Sequence, residues 1–145
     1  MSTVETFASR WTPHALGVLR IITGFLFTAH GAQKVFNFPA SDHGPADLMS
    51  FMGFAGVLEL AGGLLIMTGL FTRATAFILS GMMAVAYFTA HAPAGFLPLV
   101  NKGELAVLYS FVFLYMALAG GGSFSLDGLL LRRDTVVPAE VPETA

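Results

Sequence analysis

Charged side chains are missing from long stretches of this chain. Between Ala74 and Asn101 there is no Asp, Glu, Lys or Arg, and between Leu105 and Leu126 there is again none. From Leu48 to Thr72 only Glu59 interrupts the apolar run, and from Trp11 to Ser41 only Arg20 and Lys34 do. A bilayer core of about 30 Å needs roughly 20 apolar residues per helix. Spans therefore fit near residues 14–36, 49–70, 74–91 and 104–121. They are rich in Leu, Ala, Phe, Met and Gly, and none shows the alternating segments of about 10 residues that mark barrel strands. The expected fold is all-α, an integral membrane four-helix bundle.

Turn-forming clusters support these boundaries. Phe38 to Pro45 breaks the first two spans, Gly69 to Arg73 joins the second and third, and Ala92 to Pro98 separates the third and fourth. Residues 1–13 form an N-terminal segment, 14–131 the four-helix domain, and 132–145 a flexible Pro/Glu-containing tail. The start is mixed and polar, and the apolar stretch after it outruns a signal-peptide core of about 7–15 residues, so the first span is expected to stay in the protein. With four spans, both termini share one side with Arg73, and that side also carries Arg10, Arg132 and Arg133. The bias of Lys and Arg toward the cytoplasm then places both termini there, in a multi-pass inner-membrane protein.

Composition narrows the class further. Of 145 residues, 55% are hydrophobic and 11% charged, and the mean hydropathy is +0.74. A soluble domain carries about 25% charged residues. Disorder needs low hydrophobicity and high charge, and a disulfide scaffold needs cysteine, of which there is none. The net charge of -2 argues against nucleic acid as a partner. The partner that remains is the lipid bilayer.

The few polar residues inside the spans are the candidates for function. An Arg or Asp at a helix centre costs about 2.5–3.5 kcal/mol on insertion scales, so such residues face the bundle interior and pair. At 1.5 Å per residue, Arg20 lies roughly 9 Å and Glu59 roughly 15 Å from the cytoplasmic face. The expectation is an Arg20–Glu59 contact, direct or through one water. Gly17, Arg20, Thr23, Gly24, Phe27, His30, Gly31 and Lys34 share one arc of the first span, and Gly56, Glu59, Gly62 and Gly63 share one face of the second. Small residues permit close approach of helices in lipid. The third span offers Ser80, Ala84, Tyr87 and His91, and the fourth Glu104, Leu108, Phe111 and Tyr115. A polar vestibule is expected at the outer end, from His30, Lys34, His91, Lys102, Glu104, Asp42, His43 and Asp47, with Arg20 and Glu59 at its floor. No compact His/Glu spacing marks a metal site, no Gly-rich nucleotide loop is present, and no cofactor is evident in the sequence.

The segments Leu19–Gly24 and His30–Phe36 resemble the first-helix signature of the DoxX family, and Leu58–Arg73 resembles its second. His91, Gly103-Glu104 and Ser125-Leu126-Asp127 match the remainder, so that the resemblance covers about residues 15–130. The family consists of small four-helix prokaryotic membrane proteins, some of them linked to thiosulfate:quinone oxidoreductase and to quinone or catechol stress. The resemblance implies a quinone connection and directs attention to Arg20, His30, Lys34, Glu59, His91 and Glu104.

The expected function is thus an oxidoreductase, or a subunit working with an oxidoreductase partner, that binds a quinone-like molecule inside the bundle. Glu59, His30 and Arg20 are the catalytic candidates. Lys34, Tyr87, His91, Glu104, Phe27, Phe111 and Tyr115 are the ligand-binding candidates. A small-molecule carrier or exporter, completed as a homo-oligomer, and a non-catalytic assembly subunit remain as alternatives.

Overall fold

The computed structural model describes residues 3–134, and the side chains of residues 3–130. Helix α1 runs Thr3–Phe36, α2 Phe51–Thr68 and α3 Thr72–Ala86. A π-helical turn at Tyr87–His91 and a 3-10 turn at Ala92–Ala94 prolong α3. One-turn α4 (Pro98–Asn101), α5 (Glu104–Ala119) and α6 (Leu126–Asp134) follow. The described residues contain no strand. Helix α1 begins well before the expected span, because a helix can continue through polar residues that hydropathy does not count. Residues 132–134 of the expected tail close α6, and residues 135–145 lie outside the described residues.

The helix ends have identifiable causes. Ser50 caps α2 by accepting from the Gly53 N–H at 3.1 Å. Gly69, at φ 72°, closes its other end, its N–H reaching the Leu65 and Ile66 carbonyls. The cap of α3 comes from far along the chain. The two oxygens of Asp127 accept from the Phe71 and Thr72 N–H groups, each at 2.8 Å.

The helices form two antiparallel hairpins. In the first, α1 lies directly on α2. A Cβ added to Gly24 would overlap the Met67 backbone, and one added to Gly31 would overlap the Leu60 backbone. The glycine face of α1 therefore sits on α2 as its spacing predicts. In the second, Ser80 Oγ on α3 donates to the Ser110 carbonyl on α5 at 2.8 Å, and Ser110 Oγ returns the bond to the Ser80 carbonyl at 3.0 Å. The hairpins join around Phe27, Ile66, Leu79, Phe113 and Met116, all buried. Phe27 stands 4.9 Å from Phe113 and 5.1 Å from Tyr109, ring centre to ring centre.

The outside of the bundle is as apolar as the inside. Val18, Ile22 and Phe25 form an exposed stripe on α1, Phe77 and Ile78 project from α3, and Leu108, Phe111 and Leu118 from α5. Soluble proteins rarely expose contiguous apolar surface on this scale; a lipid-facing bundle does. Thr3–Phe36, Phe51–Thr68 and Thr72–Ala94 are long and apolar enough to cross a bilayer. The 16-residue α5 is apolar but spans about 24 Å at 1.5 Å per residue. One expected face is corrected. The buried stripe of α5 is Ala106, Tyr109, Phe113 and Met116 rather than Glu104, Leu108, Phe111 and Tyr115. Helix α5 is apolar nearly all round, so periodicity could not select its inner side.

Candidate functional site

The end of the bundle where α1 and α3 finish and α5 begins holds a polar pocket of about 200 Å³. Phe27, His30, Lys34, Glu59, Met83, His91 and Lys102 line it, together with Tyr109 and its neighbours on α5. Lys34 Nζ donates to Glu59 Oε1 at 2.6 Å. Glycine makes this pairing possible, since a Cβ at Gly56 would come within 2.8 Å of the Lys34 Cβ. Glu59 is 5% exposed, and its second oxygen, Oε2, has no hydrogen-bond partner among the described residues. A buried acceptor without a donor is costly; among the described residues the Thr72 hydroxyl, at the other end of the bundle, is likewise without a partner.

The far wall of the pocket is set by the loop after α3. The His91 Nδ1 lies 3.1 Å from the Asn101 carbonyl. A carbonyl only accepts, so Nδ1 is the donor in this contact. Asn101 itself is buried. Its side chain donates to the Gly95 carbonyl at 2.6 Å and accepts from the Gly103 N–H at 2.8 Å, which ties the loop to the start of α5. His30 presents its edge to the Tyr109 ring at 6.4 Å. Tyr109 and Asn101 did not emerge from the sequence. Asn101 is bonded to the Gly95 and Gly103 backbone and, at 3.4 Å, to the Tyr87 hydroxyl, partners that no local spacing announces, and the face of α5 that carries Tyr109 has no polar contrast to mark it.

Arg20 is not part of this pocket, and the expected Arg20–Glu59 contact does not form. Helices α1 and α2 cross so that Gly31 lies against Leu60, which places Glu59 near residues 31–34 of α1. Arg20 is then a dozen residues away along α1, about 18 Å at the helical rise. At the opposite end of the bundle it is fully buried and donates to four carbonyls: Ile66 at 2.7 Å, Met67 at 2.6 Å, Gly121 at 2.8 Å and Phe124 at 3.0 Å. The first two are among the last carbonyls of α2, past the regular intrahelical bonds, and the Ile66 carbonyl also accepts from the Gly69 N–H. Arg73 does the same for α5, donating to the Ala117 and Leu118 carbonyls. Arg20 is thus a clamp on backbone, and its guanidinium is spoken for.

The remaining candidates divide. His30, Lys34, Glu59, His91 and Phe27 meet in the pocket. Tyr87 stands behind the pocket wall, stacked on His91 with 6.4 Å between ring centres: its hydroxyl donates to the Phe96 carbonyl, and it lines a separate apolar groove of about 330 Å³ with Phe88, Phe96 and Phe111. Phe111 and Tyr115 are 66% and 50% exposed on the outer face of α5, and Glu104 is exposed at its start. Their inward placement is corrected for the reason given for α5. Asp42, His43 and Asp47 are exposed in the loop and do not line the pocket. Among the described residues, no three His, Asp or Glu side chains gather as a metal-holding group.

Similarity to known proteins agrees with this architecture. The DoxX family model matches residues 15–92, which include α1 from Ala15 onward, α2, α3 and His91. An uncharacterized protein of Haemophilus influenzae is 40% identical over 129 residues, 86% of this chain and 96% of its own. "Inner membrane protein YqjF" of Escherichia coli is 31% identical over 125 residues, 80% of this chain and 92% of its own. "Putative oxidoreductase CatD" of Bacillus subtilis is 29% identical over 118 residues, 79% of this chain and 86% of its own. No solved structure matches. With a family match over more than half the chain and relatives aligned along nearly all of theirs, the protein belongs to the DoxX family of membrane proteins.

Proposed function

We propose that this protein is a membrane oxidoreductase component that binds a one-ring quinone or quinol head group in the Lys34–Glu59 pocket. The observation that carries the reading is the buried carboxylate of Glu59, paired to Lys34 on one oxygen and unpaired on the other, inside a cavity. The cavity volume of about 200 Å³ is below the roughly 300–1,000 Å³ of drug-sized sites, which favours a single ring over a fused one. Phe27 and Tyr109 supply aromatic walls, and Lys34, His30 and His91 supply groups that can donate, accept or carry a proton at a ring oxygen. Interconversion of quinone and quinol moves two electrons and two protons. In this reading the chain handles the ligand and the protons, and a partner oxidoreductase subunit exchanges the electrons. The chain has no cysteine and so no thiol couple of its own. The name of the Bacillus relative supports the redox class. The distribution of Lys and Arg supports an inner-membrane placement with both termini in the cytoplasm, the pocket then opening toward the outer face.

Mass spectrometry of small molecules retained by protein purified in mild detergent tests this reading. A quinone or quinol retained by the native protein, and lost when Lys34 and Glu59 are both replaced by Met, is the expected result. Absence of any such molecule, together with no binding of added one-ring quinones or quinols, refutes it.

A further inference from the structure

The polarity of the pocket's deepest group carries the reading one step further, to the redox state of the ligand. Lys34 Nζ donates to Glu59 Oε1 at 2.6 Å, and a carboxylate facing an ammonium is an acceptor at both oxygens. Oε2 is buried, on a residue 5% exposed, and no group among the described residues donates to it. His91 stands on the same wall, its Nδ1 proton committed to the Asn101 carbonyl. A quinone offers only carbonyl oxygens. Against Glu59 Oε2 such an oxygen would set acceptor against acceptor and leave both unsatisfied. A hydroxyl on the same ring position would complete the carboxylate instead.

Resting on the proposed quinone-type site, we infer that the pocket selects the reduced, hydroxyl-bearing ring over the oxidised one, with Glu59 Oε2 accepting the ligand's O–H. The inference concerns binding and needs no electron transfer. It makes Glu59 the group that reads the ligand's proton content, while Lys34 holds the carboxylate in place. A site built to hydrogen-bond a hydroxyl discriminates strongly against an analogue that lacks it, because the site's own polar atom is then left bare.

Calorimetric titration of the full chain in detergent micelles, without oxygen, tests the inference. The ligands are tetramethylhydroquinone, tetramethyl-para-benzoquinone, whose blocked ring does not add to lysines, and the dimethyl ether of the hydroquinone. The expected result is binding of the hydroquinone at least about tenfold tighter than of the quinone or the ether. Glu59→Gln places an amide that accepts from Lys34 and donates from the other position, so it should abolish or reverse the preference. Equal affinities in the native protein, or a tighter quinone, overturn the inference while leaving the quinone-type site standing. No binding of any of the three overturns both. The ether series is measured on the native protein, so the outcome stands even where Glu59→Gln does not fold.

Discussion

Arg20 and Glu59 are both charged, both buried and both held in the α1–α2 hairpin, yet their surroundings are opposite. Arg20 faces backbone. Its donors meet four carbonyls at 2.6–3.0 Å, two from the end of α2 and two from the segment after α5. Glu59 faces side chains across a cavity, satisfied on one oxygen only. At the arginine end, Arg73 and Asp127 repeat the pattern, one closing α5 and the other opening α3. A buried charge that completes helix termini is architecture. A buried charge that remains incomplete is available to something that is not part of the chain.

This contrast is open to direct attack by substitution, and the largest effect belongs to Arg20. Arg20→Met removes donors from four carbonyls, two of them at the end of α2, where the Ile66 carbonyl keeps the Gly69 N–H. A loss of about 3–5 kcal/mol is expected, by analogy with broken buried charge networks, measured by thermal unfolding in detergent. Arg20→Lys should recover little, since one ammonium cannot reproduce the planar fork. A variant as stable as the native protein would end the distinction drawn between the two ends.

Asp127→Ala should have a smaller effect, about 1–2 kcal/mol, on the scale of a lost helix cap. Ligand retention should be unchanged, because the residue lies at the arginine end. Loss of retention at undiminished stability would mean that the two ends are coupled.

The smallest effect on stability should come from the pocket itself. Replacing Lys34 and Glu59 together by Met removes two charges whose partial burial is only partly compensated. Such exchanges are often neutral or stabilising by about 1–4 kcal/mol. The double variant should therefore unfold at or above the native temperature while failing to retain ligand. Marked destabilisation would turn the Lys34–Glu59 pair into a second structural lock.

The sequence carried much of this design, and the places where it fell short have a common cause. Charge-free runs located the helices, because burial in lipid forbids unpaired charge. Glycine spacing identified the faces of α1 and α2, because backbone contact leaves no room for Cβ. Phe27, Arg20 and Glu59, which share those faces, are all buried. The partner of Arg20 was not legible, since four carbonyls of Ile66, Met67, Gly121 and Phe124 leave no trace in side-chain identity. Opposite charge suggested Glu59 instead, and the estimate of depth lacked the register of the two helices, which brings Gly31 to Leu60. Tyr109 was missed, and Phe111 and Tyr115 were misplaced, because α5 is apolar on every side and its orientation is decided by contacts with Phe27 and Ser80.

The clamp at Arg20 also imposes an order on biogenesis. Ile66 and Met67 follow it by 46 and 47 residues, but Gly121 and Phe124 follow by 101 and 104. During synthesis, the guanidinium in the first helix can recruit half its acceptors once α2 is inserted. It must wait for the others until the ribosome has passed the end of α5. A nascent chain halted before that point would hold a half-solvated arginine in a water-poor environment, which is costly. The first helix to enter the membrane is thus among the last to be secured.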